Sequence, residues 1–192
     1  DIIIPYFIEL CNDEQKRRWL PGLCSGELIS AIAMTEPGVG SDLGQLATTA
    51  TLDKDHYVVN GAKTFISNGI NADVLILAAR TGADRHKGIT LMVVEAGMPG
   101  FSRSSNLKKI GRHSQDTAEL SSTDCRVPVS NRLGAENQGF YHMMSNLPQE
   151  RLNIAMSAIA AANYSFELTL EYVKQREAFG KPIGSFQNSR FV

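Results

Sequence analysis

The sequence predicts an α+β protein: a short helical end, a middle domain of antiparallel strands in a β-barrel-like arrangement, and the start of a helical domain. Two changes of texture carry that reading. From about Leu28 to Ser130, β-branched and apolar runs of roughly four to eight residues are punctuated by Gly, Asn, Asp and Pro, as in a barrel or sandwich of short strands. From Gln138 to Gln175 the chain turns Ala-rich and poor in glycine, which suits long helix. The expected domains are therefore residues 1–27, 28–130 and 131–192.

The elements follow in order. Asn12-Asp-Glu-Gln15 ahead of Trp19 and Leu20 reads as a helix N-cap with its reciprocal Gln, and Pro21-Gly22 is expected to stop that helix. Strands are expected at Leu28 to Met34, His56 to Val59, Thr64 to Ile66, Val74 to Ala79, Ile89 to Glu95 and Thr117 to Leu120. Asn60-Gly61 between two of these runs reads as a hairpin turn, because both residues tolerate the positive φ of a type I′ turn. Asp53-Lys-Asp55 and Gly97-Met-Pro-Gly100 mark further turns. Gln138 to Gln175 reads as two helices, or one long helix bent near Pro148.

Composition excludes several classes of function. With 19 Lys and Arg against 20 Asp and Glu, the net charge of -1 gives no footprint for nucleic acid or an anionic membrane surface. Hydrophobic residues at 43% and charged residues at 20% are enough to bury a core. Cys11, Cys24 and Cys125 lie far apart and without ligand-like spacing to the four histidines. No metal site or disulfide framework is expected, and a reducing compartment fits. No apolar run approaches the roughly 18 to 20 residues of a spanning helix, so no membrane insertion is expected. The chain starts at Asp1 without Met and stops at Phe191-Val192 in mid-pattern, which reads as a piece of a longer polypeptide.

Thr35-Glu-Pro-Gly-Val-Gly-Ser-Asp42 follows a strand and packs glycines, proline and small polar residues into one tight loop. Glycine lets backbone approach a ligand closely, and successive amides can cradle anionic oxygens. The spacing fits neither a P-loop nor a Rossmann fingerprint. An ordinary turn between strands remains an equal reading of this loop taken alone.

Ala33-Met-Thr-Glu-Pro-Gly-Val-Gly-Ser-Asp42 resembles the signature loop of the acyl-CoA dehydrogenases. The likeness continues through Gly61-Ala-Lys-Thr-Phe-Ile-Ser-Asn-Gly69, Gly88-Ile-Thr-Leu-Met-Val-Val-Glu95, Gln115-Asp-Thr-Ala-Glu-Leu120, Leu133-Gly-Ala-Glu-Asn-Gln-Gly-Phe140 and Gln175-Arg-Glu-Ala-Phe-Gly-Lys181, and reaches Gln187. Val39 and Gln45 depart from the small residues usual in the family. By the resemblance, the chain covers the last helical piece of an N-terminal domain, a whole middle β domain and the first long helix of a C-terminal helical bundle.

The resemblance implies an FAD enzyme that removes two hydrogens from an acyl-CoA to give the trans-2-enoyl-CoA, with flavin N5 accepting hydride from the β carbon. It places Met34 and Thr35 along the isoalloxazine, with Gly40 in the same loop, and Ser41 at the junction of cofactor and acyl-CoA. Phe65 would stack on the flavin beside Ile66, and Ser67 would place its hydroxyl near N5. Taken without the family, Phe65 to Ser67 is a plain alternating strand. Arg176, Phe179 and Gln187 match residues that reach the pyrophosphate and adenosine of an FAD bound mainly by a neighbouring subunit. A planar Arg fork suits phosphate oxygens.

The resemblance also implies a homotetramer, electron-transferring flavoprotein as acceptor, and a location in the cytoplasm if bacterial or the mitochondrial matrix if eukaryotic. An acyl-CoA oxidase of the same architecture, or a catalytically silent CoA-binding homologue, are the competing readings.

The family places its base at two positions. In the isovaleryl and long-chain branches it lies on the long helix immediately before an arginine, and Leu147-Pro-Gln-Glu-Arg151 matches that arrangement. Glu150 is the expected base. At about 100° per residue, Met143, Leu147, Ile154 and Ser157 share its azimuth, so the carboxylate is expected on a mostly apolar stripe. Desolvation there would make it a stronger base toward a carbon acid. Arg151 would contact the CoA or pantetheine, or else pair with a neighbouring acid. Tyr141 matches a substrate position, yet nine residues before Glu150 is the opposite side of an unbroken helix. Either Pro148 disturbs the register or Tyr141 lies outside the site. His86 and Lys87 sit where some members contact the CoA nucleotide, in a loop whose charges could equally be solvated.

Overall fold

Asn12 caps its helix as its sequence context implies. Its side chain accepts from the Gln15 amide at 2.9 Å, and the Gln15 side chain accepts from the Asn12 amide at 3.0 Å. The computed structural model describes residues 2–192, with a first compact unit ending at Asn146 and a second spanning Leu147–Val192. Two helices open the first unit, α1 (Ile4–Leu10) and α2 (Asp13–Ser25). Pro21 does not stop α2; it lies inside, and the helix ends at Gly26 with a left-handed φ of 81°. Proline removes one donor without forbidding helical φ, whereas the αL cap satisfies the terminal carbonyls.

Eight strands form the sheet: β1 (Ser30–Ala33), β2 (Thr49–Asp53), β3 (His56–Ser67), β4 (Val74–Arg80), β5 (Ile89–Glu95), β6 (Phe101–Arg103), β7 (Thr117–Pro128) and β8 (Arg132–Leu133). Their order is β6-β7-β3-β2-β4-β5-β8, with β1 also paired to β4. The expected barrel-like closure is not found. The sheet is open, and it is not wholly antiparallel, since β1 runs parallel to β4 with Ser30 opposite Val74. Its two ends are strands of three and two residues, too short to bond one another into a ring.

The expected hairpin at Asn60-Gly61 is also absent. The chain runs straight through as β3, and the hairpin is made at the turn expected at Asp53-Lys-Asp55, where Lys54 has a φ of 58° and β2 folds back with Asp53 opposite His56. Gly61 serves close approach: a Cβ there would come within 2.8 Å of Thr48, at a φ of 152°. β7 extends to Pro128, well beyond the expected Leu120, because its polar Ser and Thr residues alternate with buried Ser122, Cys125 and Val127.

One continuous core joins Ala31, Ala33, Tyr57, Val59, Ile66, Leu75, Leu77, Met92, Val94, Ala118, Leu120 and Val127. β4 and β5 are buried on both faces, which explains their unbroken apolar runs. α2 docks through Gln15, whose amide donates to the carbonyls of Ser130 and Arg132 at 2.7 and 2.8 Å, and through Trp19, packed edge-on to Phe7 at 5.8 Å.

α3 (Gly139–Gln175) is one continuous helix with Pro148 inside it. In the second unit it is followed by the short antiparallel pair β9 (Glu177–Ala178) and β10 (Lys181–Pro182), and by α4 (Gln187–Phe191). Among the described residues no helix is long and apolar enough to cross a membrane.

Candidate functional site

The loop after β1 is built around a buried carboxylate. Glu36 accepts from the amides of Ala47 at 2.7 Å and Thr48 at 2.9 Å, and from the Lys63 ammonium at 2.9 Å. Lys63, 2% exposed, also donates to the Met34 carbonyl at 3.1 Å. Burial pushes the Lys63 ammonium down to about 8 against the opposing pull of Glu36. Burial works against ionising Glu36 as well, but the Lys63 charge and the donors around the carboxylate outweigh it and hold its pKa below the usual value. Glu36 and Val39 exchange backbone hydrogen bonds of 2.9 and 3.0 Å, which closes the turn. The Thr64 amide donates to the Thr35 carbonyl at 3.0 Å and joins the loop to β3.

At that junction the alternation of β3 breaks. Tyr57, Val59 and Lys63 face inward, and strict alternation would send Phe65 after them; instead a register shift against β7 between Lys63 and Ile66 buries Ile66 and turns Phe65 out. Phe65 takes a φ of 57° and is 70% exposed, an uncommon conformation for a bulky residue. Ser67 is exposed at the end of the strand. Beyond it, Asp116 accepts from the Ile70 amide at 2.6 Å and the Asn71 side chain at 2.9 Å, while its carbonyl accepts from Asn68, where φ is 60°.

The structure therefore brings Met34 and Thr35 together with Phe65, Ile66 and Ser67. Gly40 and Ser41 continue the same loop, exposed, and a Cβ on Gly40 would meet nothing within 4 Å. Lys87 lies in a second loop, residues 81–88, that reaches the first. Arg85 pairs with Asp42 at 2.5 Å, and Arg80 donates to the carbonyls of Leu46, Gly44 and Asp84 at 2.8, 2.8 and 2.9 Å. The Asp84 carboxylate in turn accepts from the Lys87 amide at 2.6 Å and the His86 amide at 2.9 Å. His86 stacks on Phe140 at 4.4 Å, and Phe140 meets Tyr141 edge-on at 5.8 Å, so Tyr141 belongs to this cluster at the start of α3.

In the second unit, Glu150 is 9% exposed and Arg151 is exposed. The apolar stripe expected around Glu150 is buried on one side only. Met143 is fully buried and Leu147 half-buried, but Ile154 is 63% exposed. From Leu152 onward α3 exposes Met156, Ile159, Tyr164 and Phe166 as well, an apolar surface that needs covering partners. Arg176 follows α3, its amide bonded to the Tyr172 carbonyl at 2.8 Å. Phe179, with φ 54° and 95% exposed, occupies the turn between β9 and β10 and meets Phe186 edge-on at 6.2 Å. Gln187 opens α4.

Sequence reasoning passed over Lys63, Glu36, Arg80 and Asp116. A lysine within an apolar strand pattern is the one signal that pointed there, since a charge at an inward position must find a partner.

The family model of the acyl-CoA dehydrogenase middle domain matches residues 31–125, and that of the C-terminal domain matches residues 137–192. The long-chain specific acyl-CoA dehydrogenase of Sus scrofa mitochondria is 47% identical over 190 residues, which is 97% of this chain and 44% of that protein. Mitochondrial isovaleryl-CoA dehydrogenase of Pongo abelii is 45% identical over 179 residues, covering 92% of this chain and 42% of its own length. A crystal structure of an acyl-CoA dehydrogenase from Geobacillus kaustophilus superposes with a TM-score of 0.97 at 52% identity, over all of this chain and 51% of the other. This chain thus spans a little under half the length of these curated relatives, and over that span it belongs to the acyl-CoA dehydrogenase family.

Proposed function

We propose that the protein is an FAD-dependent acyl-CoA dehydrogenase that converts an acyl-CoA thioester to its trans-2-enoyl-CoA. The observation that carries this reading is the outward turn of Phe65 on strained backbone, fixed beside the Met34–Ser41 loop in a chain of this family. Backbone strain of this kind persists where surrounding structure over-determines it, often at ligand clamps.

The residues present fit a flavin. An exposed aromatic face at Phe65 suits a planar ring, the Thr35, Ser41 and Ser67 hydroxyls suit its polar edge, and open space over Gly40 admits a close approach. FAD, when bound, supplies the acceptor for the hydride that leaves the β carbon. The chain's own residues do the rest. Glu150, a buried carboxylate, takes the proton from the α carbon onto a carboxylate oxygen. Lys87 in the first unit and Arg151 in the second each offer a cation to the CoA portion, and Ser41 lines the substrate. Tyr141, on the opposite side of an unbroken α3 from Glu150, is left outside the substrate site. Arg176, Phe179 and Gln187 reach the pyrophosphate and adenosine of an FAD belonging to another subunit, as in a homotetramer.

The exposed apolar side chains of α3 support the remainder of a helical bundle around it. On this reading residues 1–27 end an N-terminal helical domain, 28–130 form the middle domain and 131–192 begin the C-terminal one. Electron-transferring flavoprotein is the acceptor, and the long-chain and isovaleryl branches supply the substrate class. The location proposed is the mitochondrial matrix if the protein is eukaryotic and the cytoplasm if bacterial; relatives named as mitochondrial support the eukaryotic half of that reading.

The test is anaerobic titration of the intact protein with a ladder of acyl-CoAs, following flavin absorbance. Glu150→Gln should keep FAD bound while reduction by acyl-CoA slows by about 10²-fold or more. Near-normal bleaching in that variant would move the base elsewhere.

A further inference from the structure

We propose that Lys63, through its buried pair with Glu36, is a positioning residue for the cofactor: it sets the Met34–Thr35 backbone and holds Phe65 outward. This rests on the reading that the Met34–Ser41 loop and Phe65 receive FAD.

The geometry is specific to that task. The Lys63 ammonium bridges the Met34 carbonyl and Glu36 Oε1, and the Glu36 carboxylate anchors the amides of Ala47 and Thr48. Three segments distant in sequence thus meet at one ion pair. A buried pair costs desolvation that two apolar side chains of similar size would avoid, so its stabilising value is poor. What it supplies is direction, since a charge-assisted hydrogen bond fixes the carbonyl it points at.

Lys63 is also the last residue of β3 in regular inward alternation, and the register shift that expels Phe65 begins there. The far side of the shift is tied down by Asp116 through Ile70 and Asn71. With an apolar side chain at 63 the upstream tether is gone, and the strand can relax toward plain alternation with Phe65 turned in.

Removing Lys63 alone strands the Glu36 carboxylate and lowers stability for a trivial reason, so the informative variant is the neutral pair Lys63→Met/Glu36→Gln in the intact protein. Three quantities are read below the melting midpoint of every variant: the Kd for FAD, the visible circular dichroism of bound flavin, and Tm. The expected result is a Tm that recovers only part-way from the Lys63→Met single variant, because the one carboxamide oxygen of Glu36→Gln can accept from just one of the Ala47 and Thr48 amides. FAD binding is weakened by about tenfold and the flavin dichroism altered relative to the Glu36→Gln single variant that keeps Lys63. A double variant with the Kd and flavin dichroism of that single variant overturns the positioning role. A parent that takes up no FAD at all overturns the function it rests on, a result visible before any variant is made.

Discussion

Two phenylalanines of this chain share an uncommon backbone and reach it by opposite routes. Phe65 and Phe179 have φ of 57° and 54° and are 70% and 95% exposed. Phe179 owes its conformation to a neighbour: Gly180, with φ 73°, completes a two-residue turn between Ala178 and Lys181, the type I′ geometry that matches strand twist. Phe65 has no such local excuse. It sits inside a strand, and the polar contacts on either side of it, from Lys63 to Met34 and Glu36 and from Ile70 to Asp116, join residues far apart in sequence. Left-handed backbone costs a bulky residue on the order of 1–3 kcal/mol and persists in mid-strand where the surrounding structure over-determines it. The difference separates a conformation set by a turn from one set by tertiary structure.

The comparison can be broken most forcefully at Glu36. Glu36→Ala leaves the Lys63 ammonium buried and unpaired, with an expected loss of about 3–5 kcal/mol in urea unfolding. A loss under about 1 kcal/mol would mean that the loop does not depend on the pair.

Next in size is Phe65→Asn, which suits left-handed φ and gives up little packing at an exposed site. It should stabilise the fold by about 1 kcal/mol while weakening FAD binding, two readouts moving in opposite directions. If stability falls instead, Phe65 is packed and not strained.

Smallest is Phe179→Asn, which creates the favoured Asn-Gly turn. Global stability should change by less than about 0.5 kcal/mol, because a two-residue pair can open locally. Slower hydrogen exchange at Ala178 and Lys181 is the sensitive measurement, and unchanged exchange would remove the local explanation of that turn.

How far the sequence could be read follows the same division. The capping box at Asn12 and Gln15, the strand at Ile89 to Glu95 and the helical character of Gln138 to Gln175 were legible from local pattern, whereas the continuity of α3 through Pro148, where two helices or one bent helix had stood open, came from the structure. The Asn60-Gly61 hairpin was misread because Gly61 answers to Thr48, a close approach that no local pattern announces. The stop expected at Pro21 failed for a local reason, since proline accepts helical φ and the left-handed cap lies five residues later at Gly26. At the candidate site, the loop from Met34 to Ser41 and the run Phe65 to Ser67 were picked out by their motifs. Lys63 and Asp116 lie inside quoted motifs but were given no role, since their worth lies in partners dozens of residues away.

Elements with their own caps, turns and periodicities could be read directly, and so could the motifs that mark the family. The open sheet, the parallel β1 beside β4 and the side on which Phe65 emerges were settled only when distant segments met. The reason is that a buried charge or a bulge takes its energy from whatever lies across from it, and the one-dimensional order of residues does not say what that is.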